Sequence, residues 1–148
     1  MIDVLGVFCW PRRGLLGILR FMSTEAENPT ARPSEDTFCE RPWGHYFKLY
    51  QETGVWVKRV EVMPGKRLSL QRHQHRSEKW IVVSGEGLVV IDEQETRVSS
   101  GDIVDVPVQA VHRIGNTGKK KLIFIEVACG SVLSEDDIER IQDDYARE

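Results

Sequence analysis

Between residues 43 and 127 the apolar positions fall into short runs, many with a period near two. VWVKRVEV at 55–62 is β-branched and roughly alternating, and Pro64-Gly65-Lys66 ends it. A period of two sends successive side chains to opposite faces, so such runs predict strands with one buried face. RLSLQRHQH at 67–75 alternates next. WIVVSGEGLVVID at 80–92 holds two apolar runs around Ser84-Gly85-Glu86-Gly87, which predicts a hairpin. TRVSSGDIVDVP gives a strand, a Ser-Gly-Asp turn and a second strand stopped by Pro107. HRIGNTGKKKLIFIEV gives a strand, a Gly-Asn-Thr-Gly turn and an apolar strand. Many short strands at this spacing predict an all-β antiparallel sandwich or barrel.

The two ends break the pattern. In SVLSEDDIERIQDDYARE, Ser134 stands three residues before Asp137, with acids where a helix dipole favours them. This predicts a short C-terminal helix packed on the barrel through Ile138 and Ile141. At the other end, STEAENPTARPSED (23–36) is polar and proline-bearing and predicts a linker. Residues 1–22 are partly apolar, but Asp3 precedes the apolar run and Arg12-Arg13 interrupts it. That falls short of the roughly 20 apolar residues of a bilayer span and lacks the order of a secretory signal. The expected organisation is a disordered leader and linker over 1–36, with Met22 a plausible alternative start, and one domain over 37–148.

Composition narrows the picture modestly. A chain of 148 residues suffices for one domain with a core. A net charge of -3 gives no reason to expect a nucleic-acid or membrane partner. Cys9, Cys39 and Cys129 are odd in number, widely spaced and form no CxxC pair, so a reducing cytoplasm is expected.

The chemistry concentrates in SLQRHQHRSEKW, residues 69–80. Strand alternation puts Leu68, Leu70, Arg72 and Gln74 on one face and Ser69, Gln71, His73 and His75 on the other. A face that polar is either exposed or lines a wet cavity. A metal centre needs three or four converging donors, usually from more than one strand. Glu78, past a turn at Arg76-Ser77, and His112, after Pro107, are placed to join such a set.

The spacing resembles the two cupin motifs. Gly65 is followed by five residues and Gln71, then His73, Glu78 and Gly85; Gly101, Pro107, His112 and Asn116 fit the second motif. More closely, RPWGHY, VKRVEVMPGKRLSLQRHQHRSEKWIVVSGEG, VPVQAVHRIGN and the terminal IEV…GSVLSEDDIERIQDDYARE resemble type II mannose-6-phosphate isomerases, from about Glu40 onward. In that family the region is the C-terminal cupin of a bifunctional enzyme whose N-terminal part is a mannose-1-phosphate guanylyltransferase. Residues 1–39 are too few for a nucleotide-binding domain, so a free-standing isomerase-type cupin is expected.

The resemblance implies a double-stranded β-helix (jelly-roll) barrel in which Gln71, His73, Glu78 and His112 hold a divalent metal, zinc for preference. Arg76, in the stretch that resembles the family's HRxEHW, is implied as the catalytic or phosphate-contacting arginine. Lys79 departs from the family's histidine, Gln109 from its glycine, and Ala128-Cys129 from its segment after IEV. The reaction implied is a metal-dependent exchange of mannose 6-phosphate and fructose 6-phosphate, feeding GDP-mannose and polysaccharide synthesis. An aldose–ketose exchange needs a Lewis acid, a base and cations for the phosphate. His75, on the ligand face but beyond the motif, is the base candidate. Arg76 and Lys79 are placed to bind phosphate or stabilise the enediolate, with Lys66, Arg67 and Arg113 as further cations at the rim. A non-catalytic sugar-phosphate-binding or regulatory cupin is the alternative. A metal-dependent oxygenase is a third reading, and Gln71 counts against it. A homodimer using the outward leucines of RLSL is the partner expectation.

Overall fold

The structure, a computed structural model, describes residues 37–146. The leader, the linker and the alternative start at Met22 lie outside the described residues.

The strands are β1 (Phe38–Arg41), β2 (Gly44–Glu52), β3 (Val55–Val62), β4 (Leu70–His73), β5 (Arg76–Ser84) and β6 (Glu86–Ile91), then β7 (Gln94–Ser99), β8 (Ile103–Val106), β9 (His112–Asn116), β10 (Leu122–Gly130) and β11 (Ile138–Gln142). They form two antiparallel sheets, ordered β1-β2-β3-β10-β5-β8 and β11-β4-β9-β6-β7. Alternation builds the core between them. Val60, Trp80, Val82, Leu122 and Phe124 come from the first sheet, and Val89, Val98 and Ile114 from the second. Fully burying one such aliphatic or aromatic side chain contributes about 1.5–3 kcal/mol. Trp43, Trp56 and Trp80 are all buried, as core residues.

Three expectations change. The two apolar runs at 80–92 are not a hairpin: β5 pairs with β10 and β8, whereas β6 pairs with β7 and β9. Between them Gly85 carries the chain from one sheet to the other at φ +90, where a Cβ would lie 2.6 Å from the Lys121 carbonyl oxygen. Only glycine fits both demands.

The C-terminal helix shrinks to a single 3-10 turn, Glu135–Asp137, capped by the Ser134 hydroxyl accepting from the Asp136 N–H. Strand β11 follows at once and pairs with β4. The cap is real, but no apolar stripe follows to hold a helix on the barrel. Without β11, β4 would be an open edge. Ile138 and Arg140 line the barrel cavity, while Glu139 makes a two-point ion pair with Arg72, its register partner.

Finally, Leu68 is turned inward against the core rather than outward. No described helix is long and apolar enough to cross a membrane.

Candidate metal centre

Strand β5 alternates Arg76, Glu78, Trp80 and Val82 inward, all buried. His73 ends β4 and His112 begins β9, and each is 1% exposed. Gln71 sits directly opposite His112 in the β4–β9 ladder. The folding of the two sheets over one another thereby converges His73, Glu78 and His112, whose ligand atoms all lie within 4.8 Å of one another. Glu78 Oε1 is 3.0 Å from His73 Nε2, and Glu78 Oε2 is 3.9 Å from His112 Nε2.

The backbone sets the tautomers. His73 Nδ1 is 3.1 Å from the Asp137 carbonyl, and His112 Nδ1 is 2.9 Å from the Ala110 carbonyl. A carbonyl only accepts, so both Nδ1 atoms donate, and each ring presents its Nε2 to Glu78. His112 Nε2 is buried with no hydrogen-bond partner. An orphaned buried imidazole nitrogen facing a carboxylate, with a second imidazole beside it, suits a cation. Burial would raise the Glu78 pKa, but the His73 hydrogen bond and the charges of His73, His112 and Arg76 hold it well below the usual range. Burial lowers that of His112, which favours the uncharged imidazole that a metal ligand requires. The residues therefore fit a metal. Gln71, whose Oε1 accepts from the Ser69 hydroxyl at 2.8 Å, lines the same cavity as Glu78.

Arg76 is 2% exposed and braces the cluster. Its Nε donates to Glu78 Oε1 at 3.2 Å, Nη1 to the Ser134 carbonyl at 2.8 Å, and Nη2 lies 3.2 Å from His73 Nε2. Trp80 Nε1 donates to Glu78 Oε2 at 3.0 Å.

Two expected catalytic residues are not brought to the cluster. Strand β4 ends at His73, so the alternation that placed His75 on the ligand face stops two residues early. His75 lies in the turn, exposed, with Nδ1 2.8 Å from Asp137 Oδ1. Lys79 points outward from β5, between the inward Glu78 and Trp80, and pairs with Asp105 on β8. Of the other cations, Arg67 pairs with Asp144 and Arg113 bonds Gln142, both away from the cluster.

The far end of the cavity holds residues that motif spacing missed. Lys58 on β3 is directly opposite Glu126 on β10, and both are buried. Glu126 accepts from Trp56 Nε1 at 3.1 Å, and burial together with the Glu78 charge pushes its pKa up to about 7. Lys58 Nζ lies 3.9 Å from the Trp56 ring centroid, 4.5 Å from that of Tyr46 and 2.6 Å from Glu135. Period two carried the signal: Lys58 interrupts the inward series Trp56, Val60, Val62, and Glu126 interrupts Leu122, Phe124, Ala128.

The sequence profile described as "Mannose-6-phosphate isomerase C-terminal" matches residues 30–143. The chain belongs to this family. Within it, the alginate biosynthesis protein AlgA of Pseudomonas aeruginosa is 45% identical over 118 residues, 78% of this chain and 24% of AlgA. The mannose-1-phosphate guanylyltransferase of Sinorhizobium fredii is 40% identical over 124 residues, 83% of this chain and 24% of the relative. This family domain thus spans about a quarter of the length of the curated relatives it matches. Among solved structures, the capsular polysaccharide assembling protein CapF of Staphylococcus aureus superposes with TM-score 0.64 at 21% identity, covering 72% of this chain and 34% of CapF. The cupin domain of Schizosaccharomyces pombe Cnp3 gives 0.55 at 17% identity over 58% of this chain and 64% of that one. At such identities the likeness is one of fold, the cupin double-stranded β-helix.

Proposed function

We propose that this chain interconverts mannose 6-phosphate and fructose 6-phosphate, with a divalent metal, zinc for preference, held by His73, Glu78 and His112 and completed by Gln71. The observation that carries the reading is the orphaned His112 Nε2 converging with His73 and with Glu78, which lines a polar cavity. A bound divalent ion would supply Lewis-acid polarisation of the sugar's carbonyl and hydroxyl oxygens. Arg76 fixes Glu78 and His73 in place. Glu126, facing the cavity and not needed as a ligand, is the base that takes a proton at one of C1 and C2 and returns it at the other. Lys79 and His75, outside the cavity, have no part in this assignment. Relatives named for alginate and xanthan biosynthesis support a place in GDP-mannose and polysaccharide formation.

A second reading has its own observation. The cavity lined by Gln71, Arg76, Glu78 and Glu126 measures about 50 Å³, whereas small-molecule sites run to roughly 300–1,000 Å³. A hexose phosphate does not enter without movement of the wall, which favours a non-catalytic, regulatory cupin. A coupled assay for fructose 6-phosphate formation, with and without chelator, separates the two. Turnover that chelator abolishes supports the isomerase; metal-loaded protein with no turnover sinks it.

A further inference from the structure

The mouth of the cavity contains a cationic site already filled by the chain's own carboxylate. Glu135 sits on the one-turn 3-10 helix that follows β10. Its Oε1 lies 2.6 Å from Lys58 Nζ and accepts at 3.4 Å from the Tyr46 hydroxyl, while Oε2 lies 3.9 Å from Arg41 Nη2. The Tyr46 hydroxyl in turn accepts from Arg41 Nη2 at 3.4 Å. Lys58 and Tyr46 are held on the central strands β3 and β2, 4% and 8% exposed. The turn that carries Glu135 buries none of its residues. Lys58 and Tyr46 are therefore built into the barrel, whereas Glu135 is a half-buried side chain on a short turn.

The geometry points to a phosphate-binding subsite formed by Lys58, Tyr46 and Arg41, in which Glu135 is a stand-in for the substrate's phosphate and must leave for it to bind. This rests on the sugar-phosphate reading above and names the end of the cavity that takes the charged group. An ammonium, a guanidinium and a phenol offer to a phosphate the same charge-assisted bonds they give the carboxylate. A phosphate dianion and Glu135 repel each other, so the two do not share the site. Withdrawal of Glu135 leaves Arg41, Lys58 and Arg76 facing the anion, and it enlarges a cavity that is otherwise too narrow.

The test is calorimetric titration of inorganic phosphate into the full chain, held in chelator so that no metal contributes. Glu135→Gln is expected to tighten phosphate binding about tenfold, the gain from freeing a site otherwise open about a tenth of the time. Lys58→Met is expected to abolish binding in both backgrounds. Should Lys58→Met not fold, Arg41→Gln in the Glu135→Gln background decides, because Arg41 is nearer the surface; it must lose the gain. Phosphate affinity indifferent to Glu135→Gln, undiminished by Lys58→Met or by Arg41→Gln, or undetectable in every variant overturns the subsite. The isomerase assay fails or succeeds separately: phosphate binding that follows this pattern without turnover keeps the subsite and removes the isomerase. Turnover with phosphate binding blind to these residues does the reverse.

Discussion

The two ends of the barrel cavity are assembled in different ways. At the inner end, Gln71, His73, Arg76 and Glu78 come from one stretch of eight residues, and only His112 arrives from elsewhere. At the mouth, Arg41, Tyr46, Lys58, Glu126 and Glu135 come from five separate segments that meet only because β1, β2, β3 and β10 are neighbours in one sheet. A metal site demands short, fixed donor distances, which a strand-turn-strand unit delivers locally. The phosphate subsite proposed for the other end would tolerate donors several ångströms apart, and its residues come from across the sheet.

Removing a ligand should have the largest effect. His73→Ala and Glu78→Gln are expected to lose bound metal and, with it, several kcal/mol of transition-state stabilisation, or about 10³-fold in rate at about 1.4 kcal/mol per decade. Metal analysis beside the coupled assay checks this, and a metal-replete Glu78→Gln would undo the ligand assignment. Next comes the brace. Arg76→Met leaves the buried Glu78 carboxylate without its guanidinium, and breaking such a pair costs about 3–5 kcal/mol, readable by urea unfolding.

At the mouth, Glu126 makes a pH-dependent contribution. Its folded pKa of about 7 lies above that of an unfolded glutamate. The folded state therefore holds the extra proton between about pH 4.5 and 7. The group's contribution to stability is full at the lower end and lost as pH rises through about 7. Glu78, Glu135 and Asp137, whose pKa values are lowered, act in the opposite sense as pH falls. Comparing wild type with Glu126→Gln isolates the term: the variant should gain Tm relative to wild type at pH 8 and little at pH 5. An equal difference at both would place Glu126 in a solvated setting. The smallest effects belong outside the cavity. Lys79→Ala and His75→Ala each remove a solvent-exposed ion-pair partner, should cost less than about 1 kcal/mol and should leave metal content unchanged. A loss of rate of about tenfold or more in His75→Ala would restore it as the base.

The same contrast explains what could be read from the chain beforehand. Alternation and turn residues revealed most of the strands between 55 and 127, and motif spacing named Gln71, His73, Glu78 and His112, of which the fold brings His73, Glu78 and His112 together. His75 lies off the cluster because the alternation that placed it on the ligand face runs into a turn, and Lys79 because on a strand the residue next to Glu78 is on the opposite face. The C-terminal helix failed for a related reason. Ser134 caps one turn from local chemistry, but the fate of Ile138–Gln142 depended on β4 lacking a partner, which only the folded barrel reveals. Lys58 and Glu126 carried a signal, a single charge in an inward apolar series, whose meaning required knowing that β3 and β10 are adjacent.

The hydrogen bond between His73 Nδ1 and the Asp137 carbonyl ties the cluster to the end of the chain. Translation delivers β4, β5 and β9, with every proposed ligand, before it makes residues 134–142. A nascent chain halted at Asn116 carries all the donors yet lacks the carbonyl that orients one imidazole, the Ser134 carbonyl that holds Arg76 and the strand that closes β4. The proposed metal receptor is thereby complete only once residues 134–142 have been made, and a polypeptide still emerging from the ribosome presents it unfinished.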